Sequence, residues 1–192
     1  MTIKRKIRAY CGFQGSGKTY GCARLVETMG FQKISFADAL RDVAFRTIGI
    51  PFDKGMEHYR KLKQTKLIND LTFRNMLENL GSAVRKYDKD FWVKAALEII
   101  KNSPKNICID DLRYYNEYSL VKKYACENDI DFELVFADYK SEFYEDNNPH
   151  PSAALAAFLK NMGYKDREYV KDMDMQIFSV IEGIPKPKFD EI

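Results

Sequence analysis

The sequence contains little of what several common active sites require. It has only two histidines, His58 and His150, which argues against a zinc site and against a Ser–His or Cys–His nucleophile. It has no CxxC pair, and its four cysteines are scattered: Cys11, Cys22, Cys108 and Cys126. Since Cys11 and Cys108 fall in apolar runs typical of buried strands, we expect free thiols rather than a disulfide framework.

Long apolar runs and a strong net charge are also missing. No stretch approaches the length of a membrane span, and the net charge is +3 over 192 residues. A surface that coats nucleic acid is therefore not expected. The opening MTIKRKIRAY is basic, but no apolar run of a signal segment follows it. We expect a cytoplasmic protein (host cytoplasm if viral) without a nucleic-acid or membrane partner, while a homodimer remains open.

Strand-like and helix-like segments alternate along the chain. Strands are predicted at 7–12, 33–36, 106–111 and 132–137, with a last edge strand at 176–181. Helices are predicted at 18–29, 37–48, about 91–100 behind an Asp90 N-cap, 117–126 and 152–162, and residues 52–104 are strongly helical in composition. This order predicts one α/β domain over 1–192, with a doubly wound, mainly parallel sheet flanked by helices.

The stretch GFQGSGKT, residues 12–19, satisfies the pattern G-x-x-x-x-G-K-[ST] between a predicted strand and a predicted helix. Backbone N–H groups of such a loop surround phosphate oxygens, and the helix N-terminus adds positive potential. The motif predicts a P-loop NTPase fold that binds ATP and Mg²⁺, with Lys18 at the β- and γ-phosphates and Thr19 on the metal. The predicted nucleotide-binding residues are Gly12, Gly15, Ser16, Gly17, Lys18, Thr19 and Tyr20.

The predicted strand at 106–111 ends in two carboxylates, Asp110 and Asp111. A P-loop usually needs a carboxylate at the end of a neighbouring strand to hold Mg²⁺, directly or through water. A strand-end turn or a helix cap is the alternative role for such residues. Both are kept as metal candidates, and the sequence leaves open which of them serves.

Six arginines lie in the central part of the chain: Arg41, Arg46, Arg60, Arg74, Arg85 and Arg113. Transfer of a phosphoryl group to an acceptor phosphate brings two polyanions together, and fixed guanidinium groups compensate that charge. Most arginines on helix surfaces are simply solvated, so the pattern alone does not select among the six.

Four segments resemble the deoxynucleoside monophosphate kinases of bacteriophages and related bacterial proteins. SFADALRDVA is similar to their SFADPLK-type segment, and FRNMLENLGSAVRKYDKDFWVKAAL to their R-x-L-L-Q-x-x-G-x-x-x-R…D-x-D-x-W-V segment. ICIDDLRYYNEYSLVKK resembles their strand ending in D-V-R-F-x-N-E, and HPSA their H-x-S-E signature. The matches occur in the family's order and cover roughly residues 7–153.

The resemblance implies transfer of the γ-phosphoryl group of ATP to a deoxynucleoside 5′-monophosphate, a small-molecule substrate. By position it implies Lys18, Asp38, Arg74, Arg85 and Arg113 as catalytic residues. Arg74 and Arg85 would hold the acceptor phosphate, and Arg113 the acceptor or the migrating group. It also implies a helical acceptor-binding region at about 52–104 and a lid loop at about 138–151.

The lid segment departs from the family. DYKSEFYEDNNPHP contains no arginine and four carboxylates, and Ala153 replaces the signature glutamate. Two alternatives therefore stay open. One is a P-loop kinase of the coenzyme A precursor type, in which Asp38 would act as general base towards a hydroxyl acceptor. The other is a regulator that binds ATP without transferring a phosphoryl group.

Overall fold

A computed structural model of the chain describes residues 4–68, 70–137 and 154–165. The strands are β1 (Lys6–Gly12), β2 (Gln32–Ile34), β3 (Lys66–Ile68), β4 (Leu71–Thr72), β5 (Ile107–Leu112) and β6 (Asp131–Ala137). The helices are α1 (Lys18–Met29), α2 (Ala37–Thr47), α3 (Phe52–Glu57), α4 (Tyr59–Leu62), α5 (Phe73–Tyr87), α6 (Phe91–Lys101), α7 (Tyr115–Glu127) and α8 (Ala154–Asn161).

The main sheet of the described part is parallel, with the strand order β2-β5-β1-β6. From β1 the chain crosses to β2 at one edge, and from β5 it passes beyond β1 to β6 at the other edge. The carboxyl ends of β1 and β5 therefore lie side by side at the point where the winding direction changes, which is where α/β sheets bind ligands. This architecture confirms the predicted α/β P-loop NTPase fold.

The central strand β5 is buried along its whole length, and its side chains alternate between two layers. Cys108 belongs to a small cluster with Cys22 and Leu25 of α1. Ile107 and Ile109 belong to the larger core, which includes residues of α6, α7 and α8. Cys108 thus faces α1, and Ile107 and Ile109 face the opposite layer.

Residues of α2 and α5, with Trp92 of α6, form a second buried cluster. Phe45 of α2 stacks on Phe73 of α5, with ring centroids 5.1 Å apart. Trp92 of α6 packs into the same cluster, is 4% exposed, and donates its indole N–H to the carbonyl oxygen of Gly81. This cluster fixes α5 against α2, the helix that follows β2.

The structure differs from the predicted elements at several points. The region 52–104 is not entirely helical, because β3 and β4 form an antiparallel hairpin that positions the start of α5. Asp90 precedes α6 as predicted, but its side chain makes no capping hydrogen bond and instead accepts one from Asn116 of α7. The predicted lid and the predicted strand at 176–181 lie outside the described residues.

Cys11 and Cys108 are buried free thiols, as predicted; Cys22 is also buried and free, and Cys126 is free and exposed. Of the helices in the described ranges, none combines the length and the apolar character that crossing a bilayer requires.

Candidate functional site

The loop between β1 and α1 has the backbone that its glycines predict. Gly15 and Gly17 adopt left-handed conformations, with φ of 78° and 86°. The ideal Cβ position on Gly12 lies 2.0 Å from the carbonyl oxygen of Ala137, at the end of β6, so a side chain has no room there. Ser16 is buried inside the loop. The loop is therefore wedged tightly between α1 and the end of the neighbouring strand.

Lys18 is drawn into this loop. Its ammonium donates to the carbonyl oxygen of Gly12 at 2.8 Å and also to that of Phe13. Burial, with repulsion from Arg113, lowers the pKa of Lys18 from 10.5 to about 8. Phosphate oxygens in the loop would favour the charged form again. Tyr20, one residue beyond Thr19, is 60% exposed on α1.

Thr19 lies against Asp110, which the sequence separates from it by 91 positions. Its hydroxyl donates to Oδ2 of Asp110 at 3.0 Å, and the ammonium of Lys33 on β2 lies 2.8 Å from the same oxygen. Oδ1 of Asp110 accepts from the hydroxyl of Ser35. Burial alone would raise the pKa of Asp110, but the hydrogen bonds from Lys33 and Ser35 outweigh it and hold the pKa below its usual value. Asp110 is thus an ionised, buried carboxylate beside the loop.

Asp111 faces the other layer. Its two carboxylate oxygens accept the backbone N–H groups of Phe36 and Ala37 at 2.8 and 3.1 Å, where α2 begins. Burial and the neighbouring charge of Asp110 raise its pKa. Of the two carboxylates predicted to hold a metal, only Asp110 lies beside Thr19, while Asp111 anchors the start of α2.

The hydroxyl of Thr19 and the carboxylate of Asp110 are hard oxygen donors of the kind that Mg²⁺ prefers, so these residues fit the ion. In the described ranges, no three His, Cys, Asp or Glu side chains are grouped as a metal cage. Mg²⁺ usually takes one or two protein ligands and fills its octahedron with phosphate and water oxygens.

Asp38 lies in the first turn of α2, close to the end of β2. Its Oδ2 accepts the backbone N–H of Ser35 at 2.9 Å, and its Oδ1 accepts from the guanidinium of Arg41 at 2.7 Å. Both carboxylate oxygens are therefore already engaged. The side chain of Asp38 is suited to holding Arg41 in place.

Four basic side chains from separate parts of the chain form what we call the cationic cluster. Its members are Arg41 of α2, Lys63 after α4, Arg74 of α5 and Arg113 after β5. The guanidinium carbon of Arg41 lies 5.1 Å from the ring centroid of Tyr59, and the ammonium of Lys63 lies 5.8 Å from it. Burial lowers the pKa of Lys63, and repulsion from Arg74, Arg113 and Arg41 lowers it further.

Arg113 connects this cluster with the loop, because its charge acts on both Lys18 and Lys63. Arg74 also pairs with Glu78, at 3.0 Å, one turn later on α5. The two predicted acceptor arginines on α5, Arg74 and Arg85, are eleven residues apart. They share a helix face but are separated by about 16 Å along the axis.

Arg85 lies beside Tyr114, the residue before α7. Its guanidinium carbon is 5.0 Å from the ring centroid of Tyr114. The buried carboxyl group of Glu117 accepts the backbone N–H groups of Arg113 and Tyr114 at 2.7 and 2.9 Å. Burial, with repulsion from Asp111, raises the pKa of Glu117 to about 8. Glu117 therefore fixes the turn that carries Arg113.

Sequence reasoning did not single out Lys33, Arg41, Tyr59 or Lys63 at this site. The sequence could have indicated Arg41, because it follows Asp38 by three residues on a predicted helix and an i, i+3 pair shares one helix face. Lys33 begins a predicted strand that leads towards the site. No sequence pattern indicated Lys63, because the arginines that act on it are distant in sequence.

No protein-family model matches the chain. The uncharacterized protein ORF77 of Ictalurid herpesvirus 1 (strain Auburn) is 28% identical over 99 residues, which make up 52% of this chain and 36% of that protein. The chain thus spans about a third of the length of this curated relative.

Solved structures similar to this chain include a gluconokinase from Sinorhizobium meliloti 1021, at 17% identity and a TM-score of 0.40 over 92% of this chain and 81% of that one. The APS kinase CysC of Mycobacterium tuberculosis in complex with AMPPNP and APS is 16% identical, with a TM-score of 0.38 over 93% of this chain and 96% of that one. Similarity at this level carries no information about substrate or reaction. What stands on the chain's own geometry is an α/β P-loop fold with a cationic cluster beside the loop.

Proposed function

We propose that the protein transfers the γ-phosphoryl group of ATP to a deoxynucleoside 5′-monophosphate, giving ADP and the deoxynucleoside diphosphate. The observation that carries this proposal is the link between the cationic cluster and the P-loop through Arg113. This residue directly follows Leu112, the register partner of Cys11, and its charge acts on both Lys18 and Lys63. A donor triphosphate and an acceptor phosphate repel each other, so their approach needs fixed positive charge between them.

Each side chain has a defined part in this proposal. Lys18 binds the β- and γ-phosphates, and Thr19 with Asp110 holds Mg²⁺, which when bound neutralises charge on those phosphates. Arg74 grips the acceptor phosphate, Arg113 lies between donor and acceptor, and Arg85 braces the Tyr114 turn at the edge of the acceptor region. An oxygen of the acceptor phosphate forms a bond to the γ-phosphorus. The bond from that phosphorus to the bridging oxygen breaks, and its electron pair leaves with ADP.

No general base is needed for this acceptor. A phosphate monoester has a second pKa near ~6 and is largely a dianion at neutral pH. The hydrogen bonds to both oxygens of Asp38 agree with this, because they make it a holder of Arg41 rather than a proton acceptor. The site then works by in-line positioning and charge compensation.

The direct test is to incubate the protein with ATP, Mg²⁺ and each deoxy- and ribonucleoside monophosphate, and to look for diphosphate by chromatography. The Lys18→Met variant is the control for contaminating kinases. Diphosphate from the wild type alone supports the proposal. If ATP binds but no monophosphate is converted, the proposal is wrong and the protein is a nucleotide-binding regulator or a kinase for another acceptor.

A hydroxyl-acceptor kinase of the coenzyme A precursor type is the second candidate, favoured by the placement of Asp38 at the carboxyl edge of the sheet. The Asp38→Asn variant separates the two. Loss of a general base costs about 10²–10⁴-fold in rate. Monophosphate transfer, which needs no base, should fall by only about tenfold through the disturbed position of Arg41.

A further inference from the structure

The contacts that hold Lys63 in place give no structural reason for a positive charge at this position. It follows α4, and its carbonyl oxygen accepts the backbone N–H of Arg74 at 3.2 Å in the first turn of α5. The ammonium lies near the ring of Tyr59, which also carries Arg41. Backbone and ring contacts thus hold Lys63 beside the first turn of α5, where the helix dipole adds positive potential.

The charges around Lys63 are mainly of its own sign. Arg41, Arg74 and Arg113 all act against its protonated form, and Glu78 is the opposing carboxylate. Within a folded protein such an arrangement costs stability. A methionine or leucine would fill the same half-buried position without that cost. Repulsive clusters of this kind are typical of sites that bind an anion.

We infer that Lys63 is a further acceptor-binding residue, whose ammonium contacts the phosphate of a phosphomonoester dianion together with Arg74 and Arg113. Tyr59 and Asp38 are positioning residues in this arrangement: the ring centroid of Tyr59 lies 5.8 Å from the ammonium of Lys63 and 5.1 Å from the guanidinium carbon of Arg41, and Asp38 accepts a hydrogen bond from Arg41. The inference rests on the proposed function and narrows it. The charges acting on Lys63 are mainly positive even though Arg41 pairs with Asp38 and Arg74 with Glu78, and a dianionic phosphate on the acceptor would offset them.

The kinetic test compares Lys63→Met, which keeps the side-chain length, with Lys63→Arg, which keeps the charge. Lys61→Met, at an exposed position of α4, is the control for a general change in charge. In Lys63→Met the KM for the deoxynucleoside monophosphate should rise by about tenfold or more, while the KM for ATP stays within about twofold. Lys63→Arg should keep most of the affinity, and Lys61→Met all of it. Equal changes in both KM values, or none, would overturn the inference.

A stability measurement shows whether Lys63→Met changes the kinetics only because the variant is less well folded. Because Lys63→Met removes repulsion without opening a cavity, it should melt at or above the temperature of the wild type. A clear drop in melting temperature would contradict the claim that Lys63 lies in a repulsive cluster.

A phosphate-binding experiment tests the inference independently of the proposed function. In the Lys18→Met background the loop is disabled, and inorganic phosphate then probes the cationic cluster. The phosphate-induced rise in melting temperature should fall to half or less when Lys63→Met is added. If no monophosphate is converted by the wild type but this difference holds, the proposed function fails and the anion site stands. If the difference is absent, the anion site fails whatever the enzyme activity.

Discussion

The first glycine of the loop offers a sharp test of how the nucleotide site is packed. In Gly12→Ala the new Cβ would lie 2.0 Å from the carbonyl oxygen of Ala137 and 2.7 Å from Oγ of Ser16. Carbon–oxygen contacts rarely fall below about 3.3 Å, so the atoms must separate by more than 1 Å. Gly12 and Ala137 are register partners at the ends of β1 and β6, so backbone rather than a flexible side chain must move.

The cost can be worked from these contacts. Overpacking typically costs about 1–3 kcal/mol, and a lost backbone hydrogen bond at the strand ends adds about 1 kcal/mol. A total of about 3 kcal/mol corresponds to a melting temperature lower by about 6–12 °C for a chain of this size. Because Ser16 must also shift inside the loop, ATP·Mg²⁺ should bind at least about tenfold more weakly.

Gly30→Ala is the matched control. Gly30 also has a positive φ, 67°, but nothing lies within 4 Å of its ideal Cβ position. The left-handed backbone alone costs about 1 kcal/mol, or about 2–4 °C, and ATP binding should not change. Calorimetric melting and titration calorimetry with ATP·Mg²⁺ measure both effects. If the two variants melt within about 2 °C of each other and bind ATP equally well, the steric reasoning is wrong.

Three further changes test other parts of the site. Asp110→Asn should raise the Mg²⁺ concentration needed for activity by about tenfold or more, whereas Asp111→Asn should leave it unchanged and lower stability by about 1–2 kcal/mol, since an amide N–H₂ would face a backbone N–H. Metal titrations and melting curves would show the reverse if the assignment were wrong. Lys33→Met removes the cation paired with Asp110, so the Mg²⁺ requirement should fall by about threefold to tenfold; an unchanged requirement would show that Lys33 moves away when the metal binds. Native Glu117 keeps its proton up to about pH 8, while the unfolded chain releases it near 4.5, so its contribution to stability declines as pH rises through that window. Between pH 5 and pH 8 the Glu117→Gln variant should lose less free energy of unfolding than the wild type, by about 1 kcal/mol or more. Parallel stability curves for the two proteins would contradict the raised pKa of Glu117.

The parts of the site that were predictable are those in which geometry follows from a short stretch of sequence. The loop is one continuous motif, and its glycines dictate their own backbone. The two carboxylates of β5 could be placed at the edge of the sheet but not told apart, because their roles depend on which layer each one faces. That depends on how the sheet pairs and where α1 and α2 pack, which no local pattern encodes.

Lys63 illustrates the harder case. Its significance comes from Arg41, Arg74 and Arg113, which reach it from three other segments, and from a backbone hydrogen bond to the start of α5. The β3–β4 hairpin that brings this turn to α5 is short and was hidden within a strongly helical composition. Contacts of this range follow from the complete fold rather than from spacing.

The alternation of side chains along β5 has a consequence for which sequence changes such a protein can tolerate. Adjacent side chains of one strand, Asp110 and Asp111, bind to α1 on one layer and to the beginning of α2 on the other. Hydrogen bonds to α1 and to the beginning of α2 therefore come from the two sides of a single peptide unit. The segment from α2 to α5 could be exchanged for another that offers Asp111 a helix start, and the loop contacts would remain. A deletion of one residue in β5 would disrupt the hydrogen bonds to α1 and those to the beginning of α2 together.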